Sequence, residues 1–251
     1  MSSNKYTLSA RDFSVADKNA KPPKFNYPGV TLRVGPSRLQ PEVEIATIAV
    51  FNSSNSKTGN VVQVYYLPIA EHPIDAIKSG LDAAVCGNCP LRPVRSNVCY
   101  VRKYHGPARV WTTFQNGRYP HYKDLPPADK NKVLSILKSK PIRLGAYGDP
   151  ASDLETSTFL ASLAPQITAY THEWRQAPQL KPFCMASVDS PSEYAIAKDG
   201  GWRTYRHTTD NLAFQNEIVC PHKSHDVQCV TCGLCSGTSS NSARDIVTTT
   251  I

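Results

Sequence analysis

Residues 140–149, KPIRLGAYGD, read as a strand, Ile142–Tyr147, that delivers Asp149 just past its end. Outward from it the pattern repeats. Helix Ala128–Lys138 precedes the strand. Helix Leu154–Leu163 follows and leads to strand Ile167–Tyr170. Further on come strand Phe183–Val188, helix Ser192–Lys198, strand Trp202–Tyr205 and strand Glu217–Val219. Alternating strands and helices predict an α/β fold, either a partial parallel (β/α) barrel or an open parallel sheet.

Upstream, Glu42–Phe51 and Val61–Leu67 are rich in β-branched and aromatic residues and are joined by the polar NSSNSKTGN, which predicts an N-terminal β-hairpin. Pro73–Ala84 predicts a short helix that hands the chain to Cys86. Gly106 through Phe114 predicts another, ended near Asn116-Gly117. Residues 1–41, punctuated by Pro22, Pro23, Pro28, Pro36 and Pro41, read as an extended arm. Residues 42–235 read as one metal-binding α/β domain, and 236–251, SGTSSNSARDIVTTTI, as a disordered tail.

Polar residues follow the strands: Asp149, then His172 and Glu173, then Asp189, then Arg206, then Cys220. In α/β folds the carboxyl ends of parallel strands share one rim, where sites are built. On that rim Asp149 orients a ligand, His172 or Glu173 moves a proton, Asp189 at its strand end is a further catalytic candidate, and Arg206 holds an anionic group. Taken singly, each serves a helix cap or a solvated loop equally well.

The chain has eight cysteines, and their spacing says more than their number. The last four, Cys220, Cys229, Cys232 and Cys235, form a C-terminal cysteine-rich segment, C-P-x7-C-x2-C-x2-C. Two residues between thiolates let neighbouring sulfurs turn onto one ion or cluster. The run favours iron–sulfur. Zinc more often takes two separated pairs, and a zinc set using Cys220 with His222 or His225 is the alternative. The first group, Cys86-Gly87-Asn88-Cys89-Pro90 followed by Cys99, leaves a four-ligand site one short. Either one coordination position stays open, as a [4Fe–4S] cluster that does chemistry requires, or His105 or His121 closes it. Cys184 begins its strand, away from the strand's functional end, and reads as a core thiol.

The formal charge of +8 permits contact with nucleic acid or phosphate without requiring it. No stretch approaches the ~18 apolar residues of a membrane span. The N-terminal residues MSSNKYTLSARDFSVADKN lack the apolar core of a signal peptide, so the expected location is the cytoplasm.

The series CGNCPLR, GPARVW, IRLGAYGDPAS, AYTHEWR, CMASVDSPSE, GWRTYR and CVTCGLC resembles an uncharacterised phage and prophage cysteine-cluster family over about residues 84–237. That family is remotely similar to the radical S-adenosylmethionine barrels. The resemblance implies an iron–sulfur enzyme in the host cytoplasm. It implies S-adenosylmethionine as ligand of the cluster held by Cys86, Cys89 and Cys99, and a nucleotide or nucleic-acid substrate. The spacing C-x2-C-x9-C differs from the C-x3-C-x2-C of those enzymes, and no Gly-Gly-Glu segment is present. The competing expectation is a non-catalytic protein, stapled by zinc or iron–sulfur, that binds nucleic acid or a host protein.

Overall fold

The computed structural model describes residues 26–96, 99, 101, 104–208, 213–239 and 242–249. They form a mixed α/β fold with two five-stranded sheets. In the first sheet β1 (Gly29–Pro36), β2 (Glu44–Val50) and β3 (Val62–Pro68) run antiparallel, and β4 (Ile142–Tyr147) and β5 (Ile167–Thr168) continue it in parallel. The second sheet is wholly parallel. It contains β6 (Tyr170–Thr171), β7 (Met185–Val188), β8 (Thr204–Thr208), β9 (Glu217–Val219) and β10 (Asp245–Thr249), in the order β6-β7-β8-β10-β9. The sheets do not close: among the described residues β1 ladders only with β2, and β9 only with β10. The expected hairpin is β2–β3, and the parallel sheet is open rather than a barrel.

The helices are α1 (Pro73–Ser79), α2 (Ala83–Cys86), α3 (Gly106–Gln115), α4 (Pro127–Ser139), α5 (Leu154–Leu163), α6 (Pro191–Asp199), α7 (Pro221–His225) and α8 (Cys229–Cys232). Leu137 of α4, Leu160 of α5, and Ile142 and Leu144 of β4 are fully buried together with Tyr66 of β3. Each large apolar side chain so buried contributes roughly 1.5–3 kcal/mol. The Tyr66 hydroxyl is satisfied by Ser157 Oγ at 2.6 Å. No helix among the described residues is long and apolar enough to cross a membrane.

Four expectations are corrected. The helix expected over 73–84 is two helices, because Gly80 turns left-handed at φ 86° and ends α1. The strand expected over 167–170 divides between the sheets. At Ala169 the chain leaves the ladder with β4, and its N–H donates to Cys235 O at 3.0 Å. The arm expected over 1–41 contains β1, whose Val30 and Leu32 enter the core; residues 1–25 lie outside the described residues. The tail expected over 236–251 contains β10, an interior strand between β8 and β9. The ordered fold therefore extends beyond 42–235 at both ends.

β10 is anchored by its first residue. Asp245 is fully buried, accepts the Thr204 N–H at 2.8 Å and Asn216 Nδ2 at 2.9 Å, and pairs with Lys198 Nζ at 2.8 Å. A buried carboxylate is tolerated because it is paired and hydrogen-bonded on every side.

Candidate functional site

Cys86 is the last residue of α2, and the chain then reverses through Gly87, which sits at φ 53°. Cys89 N donates back to Cys86 O at 3.2 Å, closing the loop. Two buried acids hold this loop from either side. Asp82, at the start of α2, takes the Arg92 guanidinium as a fork, with Nε at 2.9 Å from Oδ2 and Nη2 bonded to Oδ1. The same guanidinium donates to Gly87 O and Gly80 O. Glu173, at the end of the β6 segment, accepts the Asn88 N–H at 2.7 Å and lies against Gly87 where any side chain would collide with it.

Cys86, Cys89 and Cys99 face one cavity of about 400 Å³, walled largely by Ile77, Val101, Tyr104 and Tyr147, with Asp82, Arg92 and His105 at its margin. A smaller cavity of about 70 Å³ continues from the same three cysteines to Gly148, Asp149, Tyr170, His172 and Ser187. The first cysteine group thus meets the strand-end rim. Asp149 reaches it because its N–H donates to Val85 O at 2.6 Å, tying the end of β4 to α2.

The rim residues fall into distinct roles. Asp149 accepts from Ala151 N, Thr171 Oγ1 and His172 N, all at 2.8–2.9 Å, so it caps the turn after β4 and fixes the backbone of His172. Burial raises its carboxyl above the usual range, partly offset by those donors. His172 Nε2 stands 3.2 Å from Asp189 Oδ2 and 3.9 Å from Cys89 Sγ. Burial lowers its pKa, but the bonds to Asp189 and Cys89 outweigh that and push it up to about 10. The ring is thus held between Asp189 and Cys89. Both contacts use Nε2, so the ring does not relay between them. Glu173 is likewise spent on the cysteine loop. Arg206 is not an anion site. It forks onto Glu217, with Nε–Oε1 at 3.0 Å and Nη2–Oε2 at 2.7 Å, and both side chains are buried.

Cys220, Cys229, Cys232 and Cys235 converge on a separate cavity of about 10 Å³, together with His222 and Thr168. That is room for about one water-sized body. Cys229 is placed by its N–H donating to Lys57 O and by Gln166 Nε2 donating to its carbonyl. Gly233, at φ 67°, ends α8 and turns the chain towards Cys235. Burial and the neighbouring cysteines push the Cys235 thiol up to about 12, although the Tyr170 hydroxyl bonds to it. Tyr170 also lines the smaller cavity of the first group, so it stands between the two cysteine sets. His222 Nδ1 is buried with no hydrogen-bond partner, the Asp226 carboxylate being 3.8 Å away. His225 instead bonds Ser224.

Among the described residues no three His, Cys, Asp or Glu side chains stand close enough together to hold a single metal ion. A cluster makes a different demand, because each thiolate binds its own iron and the sulfurs surround a cage. Three thiols facing a 400 Å³ cavity suit that demand. Of the two histidines expected to compete for the remaining position, His105 lines the cavity. His121 does not; it precedes the turn at Tyr122–Asp124 and bridges to Thr31 of β1. Cys184 is fully buried in the main core, as expected. Sequence reasoning missed Asp82 and Arg92; a Cys-x2-Cys loop flanked by an acid and an arginine was the available signal.

No family model matches the chain, and no curated protein or solved structure matches it significantly.

Proposed function

We propose that the protein is an iron–sulfur enzyme of the radical S-adenosylmethionine type that acts on a nucleotide or nucleic-acid-related substrate. One observation carries the reading: among the described residues three cysteines, and no fourth, face a cavity of about 400 Å³. Cys86, Cys89 and Cys99 hold a [4Fe–4S] cluster with one open iron. Cys220, Cys229, Cys232 and Cys235 form a second set that, drawn closer together than it stands here, would hold a cluster or, with His222, a zinc staple. Held by Cys86, Cys89 and Cys99, such a cluster, once reduced by an external electron donor, would supply one-electron chemistry to a ligand such as S-adenosylmethionine.

The chain's own residues prepare that site. The Asp82–Arg92 fork and Glu173 fix the Cys86–Cys89 loop, so both thiolates point into the cavity without reorganisation. His172, oriented by Asp189, places its ring beside Cys89. Ile77, Val101 and Tyr147 give the cavity an apolar lining beside the three thiols.

The test is anaerobic purification followed by iron and sulfide analysis and electron paramagnetic resonance of the reduced protein. Iron and sulfide should be present, and the signal should change on adding S-adenosylmethionine. Colourless protein carrying only zinc would sink the reading in favour of a non-catalytic staple protein. A signal indifferent to S-adenosylmethionine that becomes responsive in His105→Ala would show the open position to be closed by His105.

A further inference from the structure

A second cleft, of about 330 Å³, adjoins the thiol cavity and shares His105 and Val101 with it. β3 and β4 build its floor. Gln63 and Arg143 are register partners in that parallel pair, so their side chains leave the same face, and Tyr65 follows two residues on. The loop between β2 and β3 brings Lys57 to the rim, where Asn55 Oδ1 accepts the N–H groups of Lys57 and Thr58 at 3.0 and 2.9 Å.

The charges in this cleft are unbalanced. Elsewhere Arg33, Arg92 and Arg206 have carboxylate partners in Asp153, Asp82 and Glu217, and the buried Arg203 is held by the carbonyls of Ser236 and Arg244. Among the described residues no ion pair engages Lys57 or Arg143. The N-terminus of α3 at Gly106 and Pro107 also faces the cleft and favours negative charge there. A second, independent sign is Gln63. It is 5% exposed, its Nε2 donates to Ser53 and Thr58, and its Oε1 is buried without a partner. An orphaned buried acceptor asks for a donor from a ligand.

We propose that this cleft seats the phosphate ester of a small substrate, with Arg143 and Lys57 on the phosphate and Gln63 Oε1 accepting from a hydroxyl or amino group of the same molecule. The volume is at the lower end of small-ligand sites, which fits a mononucleotide rather than a strand. The shared wall at His105 and Val101 places the remainder of that molecule towards Cys86, Cys89 and Cys99. What the molecule undergoes there rests on the iron–sulfur reading; its binding does not. The rival role for the two cations is as counter-charges to the second cysteine group, since both act electrostatically on Cys229.

Calorimetric titration of the anaerobically purified full-length protein separates these. The probes are the common ribonucleoside 5′-monophosphates and their uncharged nucleosides, at low salt. A monophosphate should bind at least about tenfold more tightly than its nucleoside, and Arg143→Met or Lys57→Met should each weaken it about tenfold, the worth of one charge-assisted bond. Gln63→Leu should weaken both probes, while Lys78→Met, on an exposed pair with Asp75, should change neither. No preference for monophosphates in protein with full iron content overturns the subsite and leaves the cluster reading standing. Zinc-only protein that still prefers them overturns the cluster reading and keeps the subsite. Loss of metal from the second cysteine group in the Arg143 and Lys57 variants, with monophosphate affinity unchanged, assigns the cations to that group and overturns the proposal. Tighter binding of a single-stranded oligonucleotide than of any monophosphate overturns the small-ligand assignment.

Discussion

Glu173 and Asn88, 85 residues apart in the chain, are joined by a 2.7 Å hydrogen bond from the Asn88 N–H to Glu173 Oε1. The bond locks the first cysteine loop against the end of β6, and Gly87 leaves no space beside it. Gly87→Ala adds a side chain at φ 53° and drives it into the carboxylate. Glu173→Ala leaves the Asn88 N–H unpaired at a cost of about 1–3 kcal/mol. Both variants should lose metal from the first group and keep it in the second, and Glu173→Gln, which retains an acceptor oxygen, should keep both. Metal content per chain, compared with a Cys86→Ala control, checks this. Full loading of Gly87→Ala would contradict it.

The Asp82–Arg92 pair predicts a different pattern. Both side chains are buried, so removing one partner strands the other charge. Arg92→Met or Asp82→Leu alone should destabilise the fold by about 3–5 kcal/mol, whereas the double variant should recover much of the loss. Urea denaturation of the two single variants and the double variant measures the coupling. Additive losses would show that the pair holds the loop through its backbone bonds to Gly80 and Gly87 rather than through mutual charge.

These two supports mark the limit of what the sequence discloses. β2, β3, β4 and α3–α6 are legible because Pro, Gly and apolar periodicity punctuate them. β4 and α5 match their expected bounds to the residue. β1 is hidden because Pro28 and Pro36 suggest an arm, although here they only bracket a strand whose Val30, Leu32 and Val34 alternate. β10 is hidden by its polar approach, and only the β-branched run Ile246–Thr249 betrays it. The cysteine sets are local in sequence, so their grouping is readable. Glu173 and Arg206 look alike as polar residues after strands; only their partners, Asn88 and Glu217, tell a loop support from a structural fork. The cationic cleft is invisible for the same reason, since it exists only once β3 and β4 pair.

β10 gives the third prediction. Removing residues 245–251 exposes both β8 and β9 to solvent along their ladders and leaves Lys198, Asn216 and the Thr204 N–H without Asp245. The truncated chain should lose its cooperative unfolding transition. Asp245→Ala alone should cost about 1–3 kcal/mol, because it leaves the buried Thr204 N–H without its acceptor. Circular dichroism melts of both proteins decide the matter. A truncation that melts like the full chain would return 236–251 to the status of a dispensable tail.

The last prediction separates the clustered cysteines, proposed to bind metal, from the packed one. Cys184 is fully buried, and its thiol is pushed well up by burial and by Asp149, so it stays neutral and acts as a small apolar group. Cys184→Ala should cost about 1–2 kcal/mol, as a small cavity does, and leave metal content unchanged. Cys229→Ala or Cys232→Ala should lower stability more and release metal, because folding free energy is coupled to metal binding at that group. The pH dependence follows in sign. Ligand thiols must give up protons to bind, so metal retention should fall as pH falls, and the stability gap between wild type and Cys229→Ala should narrow with it. A chelator added at neutral pH should reproduce the Cys229→Ala melt in the wild type and leave the Cys184→Ala increment intact. Equal melting temperatures for Cys184→Ala, Cys229→Ala and Cys232→Ala, with and without chelator, would remove metal from the account of the second group.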